Sequence, residues 1–320
     1  MKRSVLAALL AALATCAAAQ DHPSRPVRFI VNFPPGGGVD LVARVVANAL
    51  SPRIGQPVVV ENRPGAGGAV GAALVAKAAP DGYTVLVASN AAITQIPHLT
   101  PQPYDPLTDL APLVKGVNLP TSVLIAVNAP HQTLRDVLEF AKSNPGKVTW
   151  GTPGNGSSMH IELEMLKGKF GLDITHVPYK GAAPIMADTM GGQLTIGAPR
   201  LPPTIGNVRG GKLRLLAVWS ANRVGIFPDV PTVKEVTGAA ELEGFPTWYG
   251  FMLPAGVPKD VAAKLEAQVL AAMRDPDVVK KMTDSGAEIV ATPADAFGEA
   301  NRIESAAFAG LFKKLNVKAE

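Results

Sequence analysis

The chain has 320 residues, 47% of them hydrophobic and 18% charged, which excludes a disordered tail or a coiled-coil rod and predicts a globular protein of roughly two domains. Its 30 basic and 26 acidic residues give a formal charge of +4, too small and too dispersed for a nucleic-acid partner, and aromatic residues at 5% are too few for a base-stacking surface. The 31 glycines and 29 prolines exceed ordinary usage without reaching low complexity, so an ordered chain with many sharp turns is expected.

The first element is a predicted secretory signal over residues 1–20. Met1-Lys2-Arg3 is a basic start, an apolar alanine- and leucine-rich run of about ten residues follows, and Ala17-Ala18-Ala19 offers a cleavage site. The run is shorter than the ~20 residues of a spanning helix, and no later uncharged stretch reaches that length, so a soluble exported protein is expected. Leu13-Ala14-Thr15-Cys16 loosely resembles a lipoprotein box that would anchor the chain at Cys16, but Thr15 is unusual there and ordinary cleavage near Ala19 is favoured. The mature chain would then hold no cysteine, which excludes disulfides, thiolate nucleophiles and cysteine-ligated metals.

From Val27 onward, short apolar strand-like runs alternate with amphipathic helical stretches, predicting an α/β fold of mostly parallel sheets flanked by helices. Strands are expected over 27–33, 58–60 and 83–88, with helices over 38–50 and 67–79 between them. The first helix would bury Leu41, Val42, Val45, Val46 and Ala49. A second run reads as helices over 134–142, 158–169 and 182–190 alternating with strands over 148–151, 174–177 and 193–197, and a further strand over 213–220. Strand-like stretches at 113–117, 122–127 and 248–253 are candidate crossovers. The tail is helical, with Leu265, Val269, Ala272 and Met273 on one stripe and a last helix over 294–315. If the tail covers the first sheet, residues 21–121 and 247–320 form a discontinuous first lobe and 122–246 a second, with a cleft between them. A single large doubly wound sheet is the alternative.

Several strands end in small residues that open directly into a helix. The first such loop is Phe33-Pro34-Pro35-Gly36-Gly37-Gly38-Val39-Asp40; Ser89-Asn90 is a second; Gly151-Thr152-Pro153-Gly154-Asn155-Gly156-Ser157-Ser158 is a third; Tyr179-Lys180-Gly181 is a fourth. A first helical turn carries unpaired backbone N–H groups and a partial positive charge, and glycine removes the side chain that would hold an anion away, so these loops are candidate carboxylate or phosphate sites. Nucleotide signatures fail: Val70 stands where G-x-G-x-x-G needs its last glycine, and Leu213 replaces the Ser/Thr of a P-loop after Lys212. There is no G-x-S-x-G elbow and no H-E-x-x-H. His160, near Ser157 and Ser158, reads as a loop-fixing residue or a ligand contact, and Asp40 as a partner for helix-end N–H groups.

The residues that carry these loops also carry a resemblance. Val31-Asn32-Phe33-Pro34-Pro35-Gly36-Gly37-Gly38-Val39-Asp40, Pro57-Val58-Val59-Val60-Glu61-Asn62-Arg63-Pro64-Gly65-Ala66-Gly67-Gly68, Ala79-Pro80-Asp81-Gly82-Tyr83, Gly151-Thr152-Pro153-Gly154-Asn155-Gly156-Ser157, His176-Val177-Pro178-Tyr179-Lys180-Gly181, Gly210-Gly211-Lys212-Leu213-Arg214 and Pro228-Asp229-Val230-Pro231-Thr232 run in order through most of the mature chain. Together they resemble the Bug family of extracytoplasmic solute-binding receptors of tripartite tricarboxylate transporters. The resemblance implies a two-lobed Venus-flytrap fold of the type II periplasmic-binding-protein kind. It also implies a periplasmic location, capture of a small carboxylate by the loops above, and delivery to membrane permease subunits. A monomer without cofactor, metal or catalytic activity is expected. One departure stands out: after the strand at 193–197 such proteins usually read something like Asp-Ser-Leu, whereas here the run is Ala198-Pro199-Arg200-Leu201, so Arg200 brings a cation toward the cleft and is expected to meet a second carboxylate on the ligand. The competing readings are a ligand-presenting subunit of a membrane sensor and a periplasmic hydrolase using Ser157 or Ser158 with His160.

Overall fold

A computed structural model describes residues 22–155, 157–243 and 247–315. The predicted signal, Cys16 and Gly156 therefore lie outside the described residues. Two sheets, of six and five strands, organise the described residues. β1 (Val27–Val31), β2 (Val58–Asn62), β3 (Thr84–Ser89) and β4 (Leu110–Leu119) enter the first sheet. The chain passes at Pro120 into the second sheet, made of β5 (Thr121–Ala126), β6 (Val148–Thr152), β7 (Ile174–Pro178), β8 (Ile196–Gly197) and β9 (Leu213–Trp219). It returns between Glu243 and Thr247 as β10 (Thr247–Pro254), and β11 (Glu288–Pro293) closes the first sheet. The strand orders are β11-β4-β10-β3-β1-β2 and β7-β6-β8-β5-β9.

Each sheet is parallel in its βαβ part and antiparallel where the chain crosses. β1 pairs in parallel with β2 and β3, and β6 with β7 and β8. β10 lies antiparallel between β3 and β4, and β5 lies antiparallel between β8 and β9. The sheets are therefore mixed, because strands that carry the chain from one sheet to the other enter against the grain of the βαβ units.

Helix α1 (Gly38–Ile54) buries Val39, Val42, Val46 and Leu50 against Phe29, Phe251 and Leu265, and stops at Gly55, whose φ of 66° is the left-handed cap that glycine adopts without strain. Leu41, expected on the buried face, is instead exposed. α2 (Ala69–Ala76) covers the other face of the first sheet. In the second lobe come α3 (Leu134–Ser143), α4 (Ser158–Phe170), α5 (Ala182–Met190), α6 (Ile205–Arg209) and α7 (Val233–Thr237). α3 begins in a capping box in which Thr133 and Asp136 satisfy each other's backbone N–H groups. Trp150 and Trp219 fill the second core.

The tail returns to the first sheet as α8 (Lys259–Met273), α9 (Pro276–Asp284) and α10 (Ala294–Leu315). Leu265, Val269, Ala272 and Met273 are buried there, as their spacing predicts. Phe308 and Phe312 of α10 pack with Ile161 of α4 in one small apolar cluster, which ties the tail to the second lobe. Several elements depart from the sequence reading: the strand expected over 193–197 shrinks to β8, the helix expected over 67–79 to α2, and β11, α6 and α7 have no counterpart in it. Among the described residues no helix is long and apolar enough to cross a membrane.

Candidate ligand-binding site

A cavity of about 770 Å³ is lined from both lobes. The first lobe contributes Phe33, Gly36, Gly37 and Gly38 at the start of α1, Ser89 at the end of β3 with Asn90 after it, and Tyr249 of β10; the second contributes Asn155, Ser157 and Ser158 at the start of α4, and Arg200 after β8. All of these except Tyr249 are residues the sequence singled out. Asp40, Thr152, His160, Tyr179, Lys180 and Gly181 are not among the lining residues, and each has a physical reason to be elsewhere.

Asp40 shapes the first loop from behind. Its buried carboxylate accepts hydrogen bonds from the Gly36 N–H at 3.0 Å, from Asn62 Nδ2 at 2.8 Å and from Arg44 Nε at 3.0–3.1 Å, while Asn62 Nδ2 also donates to the Phe33 carbonyl at 3.1 Å. Burial pushes the Asp40 pKa up, but the hydrogen bonds from Arg44, Gly36 and Asn62 outweigh it and hold the carboxyl below its ordinary range. The Gly36 N–H is therefore spent within the protein and is withdrawn from the predicted set of ligand donors. Gly37 is the N-cap of α1 and no side chain caps that helix start. A Cβ on Gly38 would lie 2.8 Å from Tyr249 Cε2 and Oη, so glycine there is what lets the tyrosine close over the loop.

The second turn is fixed by neutral groups. Ser157 caps α4: its hydroxyl accepts from the His160 N–H at 3.2 Å and donates to the Gly154 carbonyl at 2.8 Å. Thr152 Oγ1 bonds His176 Nε2 at 2.7 Å, and the His176 ring stacks on His160 with centroids 3.9 Å apart. Burial, then the nearby His160 and Lys167, push His176 down to about 4, and burial likewise lowers His160, so both rings are neutral at neutral pH. Tyr179 donates to Asp188 at 2.7 Å with its ring packed over Gly151, and burial followed by that bond pushes its pKa up to about 12. Lys180 is exposed and Gly181 starts α5 away from the cavity.

Arg200 is the cation of the site, but the protein already holds most of it. Nη1 donates to the Leu119 carbonyl at 3.2 Å and to Thr121 Oγ1 at 2.6 Å, Nη2 donates to Ser158 Oγ, and Glu162 lies 3.8 Å from Nη1 with both side chains nearly or fully buried. Burial lowers the Arg200 pKa and Glu162 opposes the change. The side chain sits beside the crossover at Pro120, and the Arg200 backbone forms an isolated antiparallel bridge with Thr121 at the start of β5. Asn90 Nδ2 donates to Glu304 of α10 at 2.8 Å, and Trp248 Nε1 donates to the same carboxylate at 2.6 Å.

Sequence reasoning missed Gln95, Met159 and Tyr249, all of which line the cavity. Gln95 ends a π-helical turn, Ala91–Gln95, and π turns recur at functional positions. Among the described residues no three histidine, cysteine, aspartate or glutamate side chains gather as a metal site.

Two α/β lobes, joined by crossing strands and presenting helix starts from both to one cavity, define a periplasmic-type solute-binding protein. Residues 42–316 match the family model of the tripartite tricarboxylate transporter family receptor, and the chain belongs to that family. It is 33% identical to the periplasmic binding protein BugD over 93% of this chain and 100% of that one, with a TM-score of 0.73. Rpa4515 of R. palustris, solved with adipate, is 29% identical over 93% and 99% of the two chains with a TM-score of 0.77. MatC from Rhodopseudomonas palustris, solved with bound malate, is 27% identical over 90% and 99% with a TM-score of 0.72.

Proposed function

We propose that the protein is exported to the periplasm as a monomer, captures a small carboxylate between its lobes, and passes it to the membrane permease subunits of a tripartite tricarboxylate transporter. The observation that carries this reading is the start of α1, which no side chain caps, sharing one cavity with the start of α4 and the Arg200 guanidinium. Uncapped N–H groups at a helix start favour an anion, and a guanidinium adds a cation to the same space. The adipate and malate bound by Rpa4515 and MatC are carboxylates of the same chemistry.

A hydrolase is disfavoured by the serines themselves. Ser157 donates its hydroxyl proton to a carbonyl in the course of capping α4, and Ser158 Oγ accepts from Arg200, so neither is poised as a nucleophile. Thermal-shift screening and calorimetry against mono-, di- and tricarboxylates test the reading. A binder gives 1:1 saturation and recovers its ligand unchanged, with stabilisation growing to about 2.7 kcal/mol at a hundred times Kd. A chain that binds no carboxylate, or that converts one into product, contradicts it.

A further inference from the structure

We propose that Glu304 of α10, which does not itself line the cavity, is a positioning residue: it holds the Asn90 amide with its carbonyl oxygen toward the ligand, giving the site an acceptor for a hydroxyl or ammonium hydrogen. The proposal rests on the carboxylate-receptor reading and adds a second recognition point to it. One Glu304 oxygen accepts from Asn90 Nδ2 at 2.8 Å and the other from Trp248 Nε1 at 2.6 Å. A carboxylate only accepts, so Asn90 must turn its NH2 to Glu304 and its Oδ1 away. Among the described residues none donates to Asn90 Oδ1, and unlike Gln95 Nε2 that oxygen is not sealed from solvent. The whole residue is only 1% exposed, and the space it lines is the cavity.

Both partners are held in place. Asn90 follows β3, and its carbonyl accepts from Thr94 Oγ1 at 3.0 Å, which fixes the backbone that carries the amide. Beside Glu304 on α10, Ser305 Oγ meets His98 Nε2 at 2.8 Å, and one turn further on Phe308 packs with Ile161 of α4. Burial pushes the Glu304 pKa up, while the bonds from Asn90 and Trp248 and the charge of Lys115 oppose the change. Two donors, one on each oxygen, are the pattern an ionised carboxylate fits. Replacing Glu304 by glutamine then has a consequence that packing alone would not give. The Trp248 indole N–H can only donate, so the glutamine must offer Trp248 its oxygen and Asn90 its NH2. Asn90 must answer with Oδ1, and its own NH2 swings to the cavity. Glu304→Gln thus turns an acceptor on the wall into a donor while keeping side-chain volume and both hydrogen bonds.

The test reads a ratio of affinities, in which a general weakening cancels. Calorimetry compares succinate with malate and aspartate, and 3-phenylpropanoate with 3-phenyllactate and phenylalanine, each set adding one hydroxyl or one ammonium to the same acid. Relative to the plain acid, at least one substituted acid is expected to lose about fivefold in Glu304→Gln. Which substituent loses tells a hydroxyl from an ammonium as the ligand's donor. Adding Asn90→Asp exchanges amide and carboxylate between the two positions and should return the ratio to within about twofold of wild type, even where the added charge weakens every acid. Ratios unchanged in Glu304→Gln, whatever happens to the absolute affinities, overturn the proposal and leave the carboxylate receptor standing. A measurement without ligand decides where neither set binds or the variant does not fold. By NMR of the wild-type protein the Asn90 Nδ2 protons should exchange with water at least about tenfold slower than those of exposed Asn222, and exchange at the Asn222 rate overturns the proposal. Failure of every carboxylate to bind overturns the receptor reading itself, and the exchange rate still decides the pairing of Glu304 with Asn90.

Discussion

In the loop at 33–40 a buried carboxylate does the shaping: Asp40 gathers the Gly36 N–H, Asn62 and Arg44, and the start of α1 is left without a side-chain cap. In the turn at 151–158 neutral groups do it: Ser157 caps α4, and Thr152 is pinned by His176 under the stacked His160 ring. Both turns are glycine-rich and both feed a helix, yet only the second helix start has a side-chain cap, the Ser157 hydroxyl accepting from the His160 N–H. The second supplies walls, and through Ser158 it holds Arg200 in position. On the proposed reading the two turns divide the work, with anion recognition assigned to α1 and placement of the guanidinium to α4.

The largest effect should come from breaking the charged side of this pair. Asp40→Ala removes three charge-assisted contacts around a buried carboxylate and should cost about 3 kcal/mol in unfolding free energy, measured by urea titration. The same residue sets an acid limb. Its folded pKa lies below its unfolded value, so its stabilisation is complete above the unfolded pKa and is lost as pH falls through the folded one. Asp40→Asn should flatten that part of the stability profile, and an unchanged acid limb would show that other carboxyls set it.

Gly38→Ala comes next. The new Cβ meets Tyr249 at 2.8 Å and the ring must yield toward the cavity, so stability should fall by about 1–2 kcal/mol while ligand affinity falls by more. Equal losses in both would mean that the ring's position does not bear on binding. Ser157→Ala should have the smallest effect, about 1 kcal/mol of stability from the lost cap, read by thermal unfolding, with affinity altered only as far as Ser158 and Arg200 shift.

Much of this was legible in the chain because its signals are local. Gly36, Gly37 and Gly38 follow a buried strand and precede a helix whose apolar residues recur at helical spacing, so loop and helix could both be read from adjacent residues. β11 was not legible, since its residues are almost all half-buried and give no alternation of apolar and polar positions. The antiparallel insertion of β10 between β3 and β4 rests on pairings far apart in sequence, such as Phe251 with Val87 and with Val114. Arg200 was visible as a departure from its relatives, but its commitments to Leu119, Thr121, Ser158 and Glu162 depend on how the crossover and α4 come together in space. Nor could sequence alone tell that Asp40 uses up the Gly36 N–H, because that bond depends on where Arg44 and Asn62 hold the carboxylate.

The most direct test of the division between the two turns is a titration of ¹⁵N-labelled protein with the carboxylate that gives the largest thermal shift, followed by amide and guanidinium NMR signals. The account predicts that the Gly38 and Val39 amides and the Arg200 Nε signal move together and saturate with the calorimetric Kd. Saturation that leaves residues 37–39 unmoved would contradict it.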